Sequence, residues 1–280
     1  LKRPLASPRR SVGRRMAAAA WIAAGMLELW RAPSNVEWCE AKTHAYLHSE
    51  HVAEFWNTVS NSAFLVAGAL GLRRALHLRL PWAFAYCDAM LLVVGLGSML
   101  FHARRNYIGE LLDELPMSAM AAGYFLCIND LHWLTSLPTR VATHGIVFTV
   151  VGCGWVCYVV LHIYEMFTVT FTLQILVVAL ISLKAVPELG GSFCPSRWLW
   201  WAFFAAVMTG KGLWEFERFL HRRGGCPAAA SDPRFWLHPA WHVLAATAHT
   251  FWMRYASALV LRQQGREGGG ASLQSKKKSS

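Results

Sequence analysis

Charge is what this sequence has least of. Asp, Glu, Lys and Arg make up 15% of its 280 residues, where soluble domains carry about 25%. That argues against an ordinary soluble globule, and no polar stretch is long enough to build a core of its own. Paired cysteines are also missing. The seven Cys are scattered with no CxxC among them, which excludes zinc-finger and iron–sulfur spacings. A basic, apolar start resembles a signal sequence, but no clear small-residue cleavage site follows it. No conventional Ser-His-Asp triad is visible, and HPAWH at 238–242 lacks the Glu of an HExxH metalloprotease.

Apolar residues are abundant: 55% of the chain is hydrophobic, with 14 Trp and a mean hydropathy of +0.31. They come in blocks of about 20 residues, the length that spans a bilayer. Seven runs lie near 55–72, 82–101, 115–134, 141–163, 166–183, 198–217 and 238–261. Breakers such as Pro81, Pro138, Pro187, Gly190 and Gly191 separate them. The expected fold is an all-α integral membrane protein, a seven-transmembrane helix bundle over residues 36–262. A basic leader (1–35) is read as disordered or interfacial, with Met16 a candidate start, and the low-complexity tail (263–280) as disordered. The net charge of +11 sits in tails and loops, which suits anionic lipid headgroups rather than nucleic acid. Outside the leader, the basic residues favour a cytosolic C-terminus. Cys87, Cys127, Cys153 and Cys157 fall inside apolar runs as packing residues. Cys39, Cys194 and Cys226 fall in loops.

Parity gives the strongest argument. The start of span one, the end of two, the start of three, the end of six and the start of seven share one membrane side. Those places hold Glu54, then Ser98 and His102, then Asp113, then Glu217, then His238 and His242. His238 and His242 are four apart, so they share one helical face, and a third His from another helix completes a three-ligand zinc site. His102, on the same side by parity, is a candidate for that third ligand, although a lone His near a helix end is usually structural. His249 lies on the same face as His242, but about 10 Å deeper. Asp113, after a short polar connection, is a candidate general base. Ser98 is placed to hydrogen-bond an oxyanion or, in the bland reading, to back-bond its own helix. Glu54, Asn57 and Asn61 form a polar stripe that serves either interhelical hydrogen bonds or, with Glu37 and Glu40, a calcium site.

WCE at 38–40, AEFWNTVSN at 53–61, GSMLFH at 97–102, LLDELPM at 111–117 and HPAWHVL at 238–244 resemble the alkaline ceramidases. These are seven-span membrane amidases of a superfamily that includes adiponectin-type receptors and lipid-remodelling proteins. The resemblance covers roughly 36–262. It implies zinc on His102, His238 and His242, Asp113 as the proton-transfer residue, and Ser98 near the oxyanion. It implies a calcium site from the Trp38 carbonyl, Glu40 and Glu54, with Glu37 where an Asp is usual. The segment after WCE is three residues longer than the pattern, and Lys42 replaces an Asn. The family's Cys at the end of span six is His221 here. Cys226 would then substitute and pair with Cys39 if that side faces an oxidising lumen. The implied activity is hydrolysis of ceramide entering from the bilayer, in the endoplasmic reticulum or Golgi, with no obligate protein partner. The alternatives are a receptor or lipid sensor with a structural zinc, and another lipid hydrolase or remodelling protein.

Overall fold

The computed structural model describes residues 25, 27, 28, 30–129, 137–184 and 195–278. The leader up to residue 24, with Met16, lies outside them, as do Pro187, Gly190, Gly191 and Cys194. The chain is all-α. Its helices are α1 (Cys39–His44), α2 (Phe55–Ser60), α3 (Ser62–His77), α4 (Trp82–Arg104), α5 (Tyr107–Asn129), α6 (Leu137–Leu161), α7 (Tyr164–Lys184), α8 (Pro195–Arg222) and α9 (Leu237–Lys278). A short 3₁₀ turn, Pro233–Trp236, leads into α9.

Four helices, α4 to α7, contain stretches long and apolar enough to cross a membrane. Large apolar side chains such as Leu96, Ile146, Val156 and Leu180 point outward from them. In water they would be an aggregation hazard; against lipid they cost nothing. The closest pairings are α4 with α5 and α8 with α9, with α3 laid on both α4 and α9. The two ends of the chain are thereby brought together across α3.

Three expectations need revising. The run at 55–72 is two helices, broken at Asn61. There the Asn57 carbonyl accepts from Ser60 Oγ at 3.0 Å and from Asn61 Nδ2 at 2.8 Å. Side chains compete for a carbonyl that the helix ladder would use. The run at 115–134 begins eight residues earlier, at Tyr107. Arg105 ends α4 in the left-handed conformation (φ 53°), and Asn106 Oδ1 accepts from the Gly109 N–H at 2.8 Å, capping α5. Asp113, read as the start of span three, therefore stands inside α5. Finally, α9 continues to Lys278, through the tail read as unstructured, because extending a formed helix costs far less than starting one.

Pro116 lies inside α5 and has no N–H to offer the Leu112 carbonyl. The backbone of Gly97 on α4 packs there; a Cβ on Gly97 would stand 2.0 Å from Leu112 O. The neighbours of these two residues, Ser98 and Asp113, are held together by this contact.

Candidate metal centre

His102 ends α4, and His238 and His242 open α9. All three are buried, and one ring nitrogen from each lies within 4.8 Å of the others. The Nε2 atoms of His102 and His238 are 3.3 Å apart. Among the described residues this is the one group of three His, Cys, Asp or Glu so arranged.

The outer nitrogens explain the orientation. His102 Nδ1 lies 2.5 Å from Glu54 Oε2. His242 Nδ1 lies 2.7 Å from Ser60 Oγ, which the break at Asn61 turns toward it. His238 Nδ1 faces Glu217 Oε2 at 3.9 Å and makes no hydrogen bond of normal length. The Trp38 ring packs on the His238 ring, centroid to centroid 3.8 Å. Oriented outer nitrogens and converging inner ones are the usual arrangement of a histidine metal site.

The segment before α2 is fastened to this centre. The Ala53 and Glu54 N–H groups donate to the Ala103 and His102 carbonyls, each at 3.1 Å. Glu40 Oε1 and Oε2 accept from the Trp56 and Asn57 N–H groups, each at 2.8 Å, so Glu40 caps α2 from a distance. Burial pushes the Glu40 carboxyl above the usual carboxylate range, and these two N–H groups oppose the shift. Glu54 also accepts from Asn57 Nδ2 at 3.0 Å. Glu37 is exposed and pairs with Arg105. Cys39 and Cys226 are joined by a disulfide, with Cα atoms 5.2 Å apart, and the Cys39 N–H donates to Glu217 Oε1 at 2.9 Å.

Asp113 lines a cavity of about 20 Å³ together with Glu114, His238, His242, Trp38 and Trp214. That is room for one water. Ser98 Oγ is buried beside the Asp113 carboxyl without a well-formed hydrogen bond. His249 is engaged elsewhere, with Nε2 2.9 Å from Asp88 Oδ1 and Nδ1 2.7 Å from Tyr124 Oη. The arrangement offers three imidazole nitrogens, one carboxyl and the Ser98 hydroxyl around a water-sized space. That set can activate water and receive a developing oxyanion.

A sequence profile described as Ceramidase matches residues 31–278. This chain belongs to the ceramidase family. Similar proteins include an alkaline ceramidase of Arabidopsis thaliana, 26% identical over 83% of this chain and 88% of its own length. Alkaline ceramidases 3 and 1 of Mus musculus are 36% and 39% identical over shorter stretches, covering 35% and 32% of this chain and 35% and 33% of their own lengths.

In this ceramidase the structure gathers His102, His238, His242, Ser98, Asp113 and Glu54. It does not bring Glu37 into the group. Sequence reasoning missed Ser60, although it lies three residues after Asn57 on the polar stripe. From the sequence, Glu217 and Arg218 could pair with each other or with loop groups; Glu217 takes the Cys39 N–H. Arg218 instead pairs with Glu215 at 3.0 Å and Glu165 at 3.6 Å.

Proposed function

We propose that this ceramidase hydrolyses the amide bond of ceramide-type lipids with zinc held by His102, His238 and His242. The observation that carries the reading is the set of three buried imidazoles converging on one point. Glu54 and Ser60 hold two outer nitrogens, and Glu217 faces the third. Three imidazole donors with a fourth position open suit catalytic zinc. Zinc bound there supplies a strong Lewis acid that lowers the pKa of water toward about 7.

The protein's own groups do the rest. Asp113 takes the proton of the attacking water and returns it to the leaving amine, which departs poorly unless protonated. Ser98 Oγ, without another partner, donates to the oxyanion. Trp38, Phe64, Phe101, Met117 and Trp214 line the cavity and exclude bulk water. The substrate enters sideways from the bilayer, since both its chains must stay in apolar surroundings. The remaining apolar stretches in α2–α3, α8 and α9 complete seven crossings, and the C-terminus is cytosolic. The disulfide side then faces an oxidising lumen, that of the endoplasmic reticulum or Golgi.

Calcium finds less support. Both Glu40 oxygens serve the α2 cap, Glu54 serves His102, and Glu37 serves Arg105.

The test is purified protein on labelled ceramide, with and without chelator, alongside metal analysis. Hydrolysis lost to chelator and restored by zinc is expected. Ser98→Ala should keep zinc and lose on the order of 10²–10³ in turnover, as for an oxyanion donor. Asp113→Asn should keep zinc and lose nearly all turnover. A trapped acyl group on Ser98 would replace this assignment with a covalent one.

A further inference from the structure

Glu110 and Glu114 stand one turn apart on α5 and reach the same hydroxyl. Tyr158 Oη on α6 lies 2.6 Å from Glu110 Oε1 and closer still to Glu114 Oε2. All three residues are buried. A phenol has one hydrogen and donates it to one acceptor. The second contact needs a hydrogen of its own, which must come from the other carboxyl. At least one of the two glutamates is therefore a protonated acid.

Asn35 decides which. Its backbone N–H donates to Glu110 Oε2 at 2.5 Å, and its Nδ2 to Glu110 Oε1 at 3.0 Å. With Tyr158, three donors converge on Glu110. Donors of that number favour the ionised form. Glu110 is the carboxylate, Tyr158 donates to it, and Glu114 donates its own proton to Tyr158 Oη.

The two ends of this chain of groups open onto different spaces. Glu114 lines the small cavity shared with Asp113, His238 and His242. Asn35 lines a surface pocket of about 410 Å³ with His162, Glu165 and Arg222. We propose that Glu114, Tyr158 and Glu110 form a proton relay from Asp113 to the aqueous pocket at Asn35. The relay rests on the hydrolysis proposed above. Amide plus water gives a carboxylate, a neutral amine and one proton: Asp113 returns the first proton of the water to the amine and then takes the second from the carboxylic acid product, and besides His238 and His242 the one other ionisable side chain lining that cavity is Glu114. In the transfer, the Asp113 O–H breaks and its proton crosses the water-sized cavity to the free oxygen of Glu114. The Glu114 O–H breaks as Tyr158 Oη takes that proton, and the Tyr158 O–H breaks as Glu110 Oε1 takes the next. Each O–H bond broken is matched by one formed, and no electrons change hands. Glu110 then releases its proton to water when Asn35 moves aside.

The obvious competing role is a purely structural tie between α5 and α6. Glu114→Gln separates the two. A glutamine amide donates to Tyr158 just as the acid does, so the melting temperature should stay that of the wild type. Glu110→Gln removes a charge that three donors hold, and should melt lower. Glu114→Gln should also lose infrared intensity in the carboxylic-acid C=O stretch. Both Glu114→Gln and Tyr158→Phe should keep their zinc and their KM while kcat falls at least about 10-fold, the low side of what a positioned proton carrier contributes. Undiminished acid intensity in Glu114→Gln, or wild-type kcat in both variants, would overturn the relay. An inactive wild type would sink the hydrolysis reading and the relay with it, while the infrared band would still show where the proton rests.

Discussion

The contact between Gly97 and the Leu112 carbonyl gives the sharpest prediction about how the centre is held. In Gly97→Ala the new Cβ would stand 2.0 Å from Leu112 O, 2.4 Å from Leu112 C and 3.0 Å from Asp113 N. Carbon and carbonyl oxygen come no closer than about 3.3 Å even in favourable C–H···O contacts. The two helices must therefore part by more than about 1 Å, and no flexible side chain is present to yield. Overpacking of this kind costs about 1–3 kcal/mol, and backbone on both sides puts this site at the upper end. Alanine's helix propensity returns about 1 kcal/mol. The net loss of about 2 kcal/mol should lower the melting temperature by about 4–8 °C for a chain of this size. Turnover should suffer more. Ser98 and Asp113 adjoin the two clashing residues, and a 1 Å misplacement at a reacting centre can cost about 10²-fold. The control is Gly152→Ala on α6, where nothing lies within 4 Å of the added Cβ; it should be neutral or slightly stabilising. Thermal melts in detergent and turnover on labelled ceramide read both effects. If Gly97→Ala melts and turns over like Gly152→Ala, the reasoning about this contact is wrong.

Three further outcomes follow from partners already described. His238→Ala should lose bound zinc, whereas His249→Ala should keep it but melt lower, since Asp88 and Tyr124 lose their shared partner and each buried polar group left alone costs about 1–3 kcal/mol; metal analysis beside a melting curve checks both. Glu54→Gln should retain the fold and weaken zinc about 10- to 100-fold, the usual effect of losing a carboxylate behind a ligating histidine, measured by competition with a chelator. Cys39→Ser or Cys226→Ser should each cost about 2–5 kcal/mol, seen as a lower melting temperature that reductant reproduces in the wild type but not in the variants.

Much of the centre is legible in the sequence because metal-ligand spacing and membrane parity are both one-dimensional. His238 and His242 share a face by their spacing alone, and parity brings His102, Ser98, Glu54 and Glu217 to the same side. Asp113 reads as the start of span three, but the helix that carries it begins earlier, at Tyr107. Glu110, Asp113 and Glu114 depress the hydropathy of α5's first turns, so a buried helix reads as a polar connection. The start signal was present in Asn106, three residues before the Gly109 N–H it caps, but an Asn after two arginines is easily read as loop. The break at Asn61 could not be seen, since it depends on which carbonyl Ser60 and Asn61 choose. Glu114 and Tyr158 are 44 residues apart, and no local pattern links them. The polar stripe left open whether Glu40 and Glu54 bind a cation or hydrogen-bond within the protein. The structure gives Glu40 two backbone N–H groups and Glu54 the His102 ring and the Asn57 amide, partners that a pattern of acidic residues cannot foretell.

The order in which the chain is made gives the centre's layout a further meaning. Glu40, Glu54 and Asn57 are synthesised early, yet they close around a centre that needs His238 and His242. About 200 residues separate Glu40 from His242, which at about 5–20 residues per second is about 10–40 s of synthesis. For that interval Glu54 and Asn57 have no complete site to shelter in. A chain stalled before Leu237 would stay in that state. Its unsheltered acidic and amide groups at the bilayer would mark it as unfinished to the factors that clear incomplete membrane proteins.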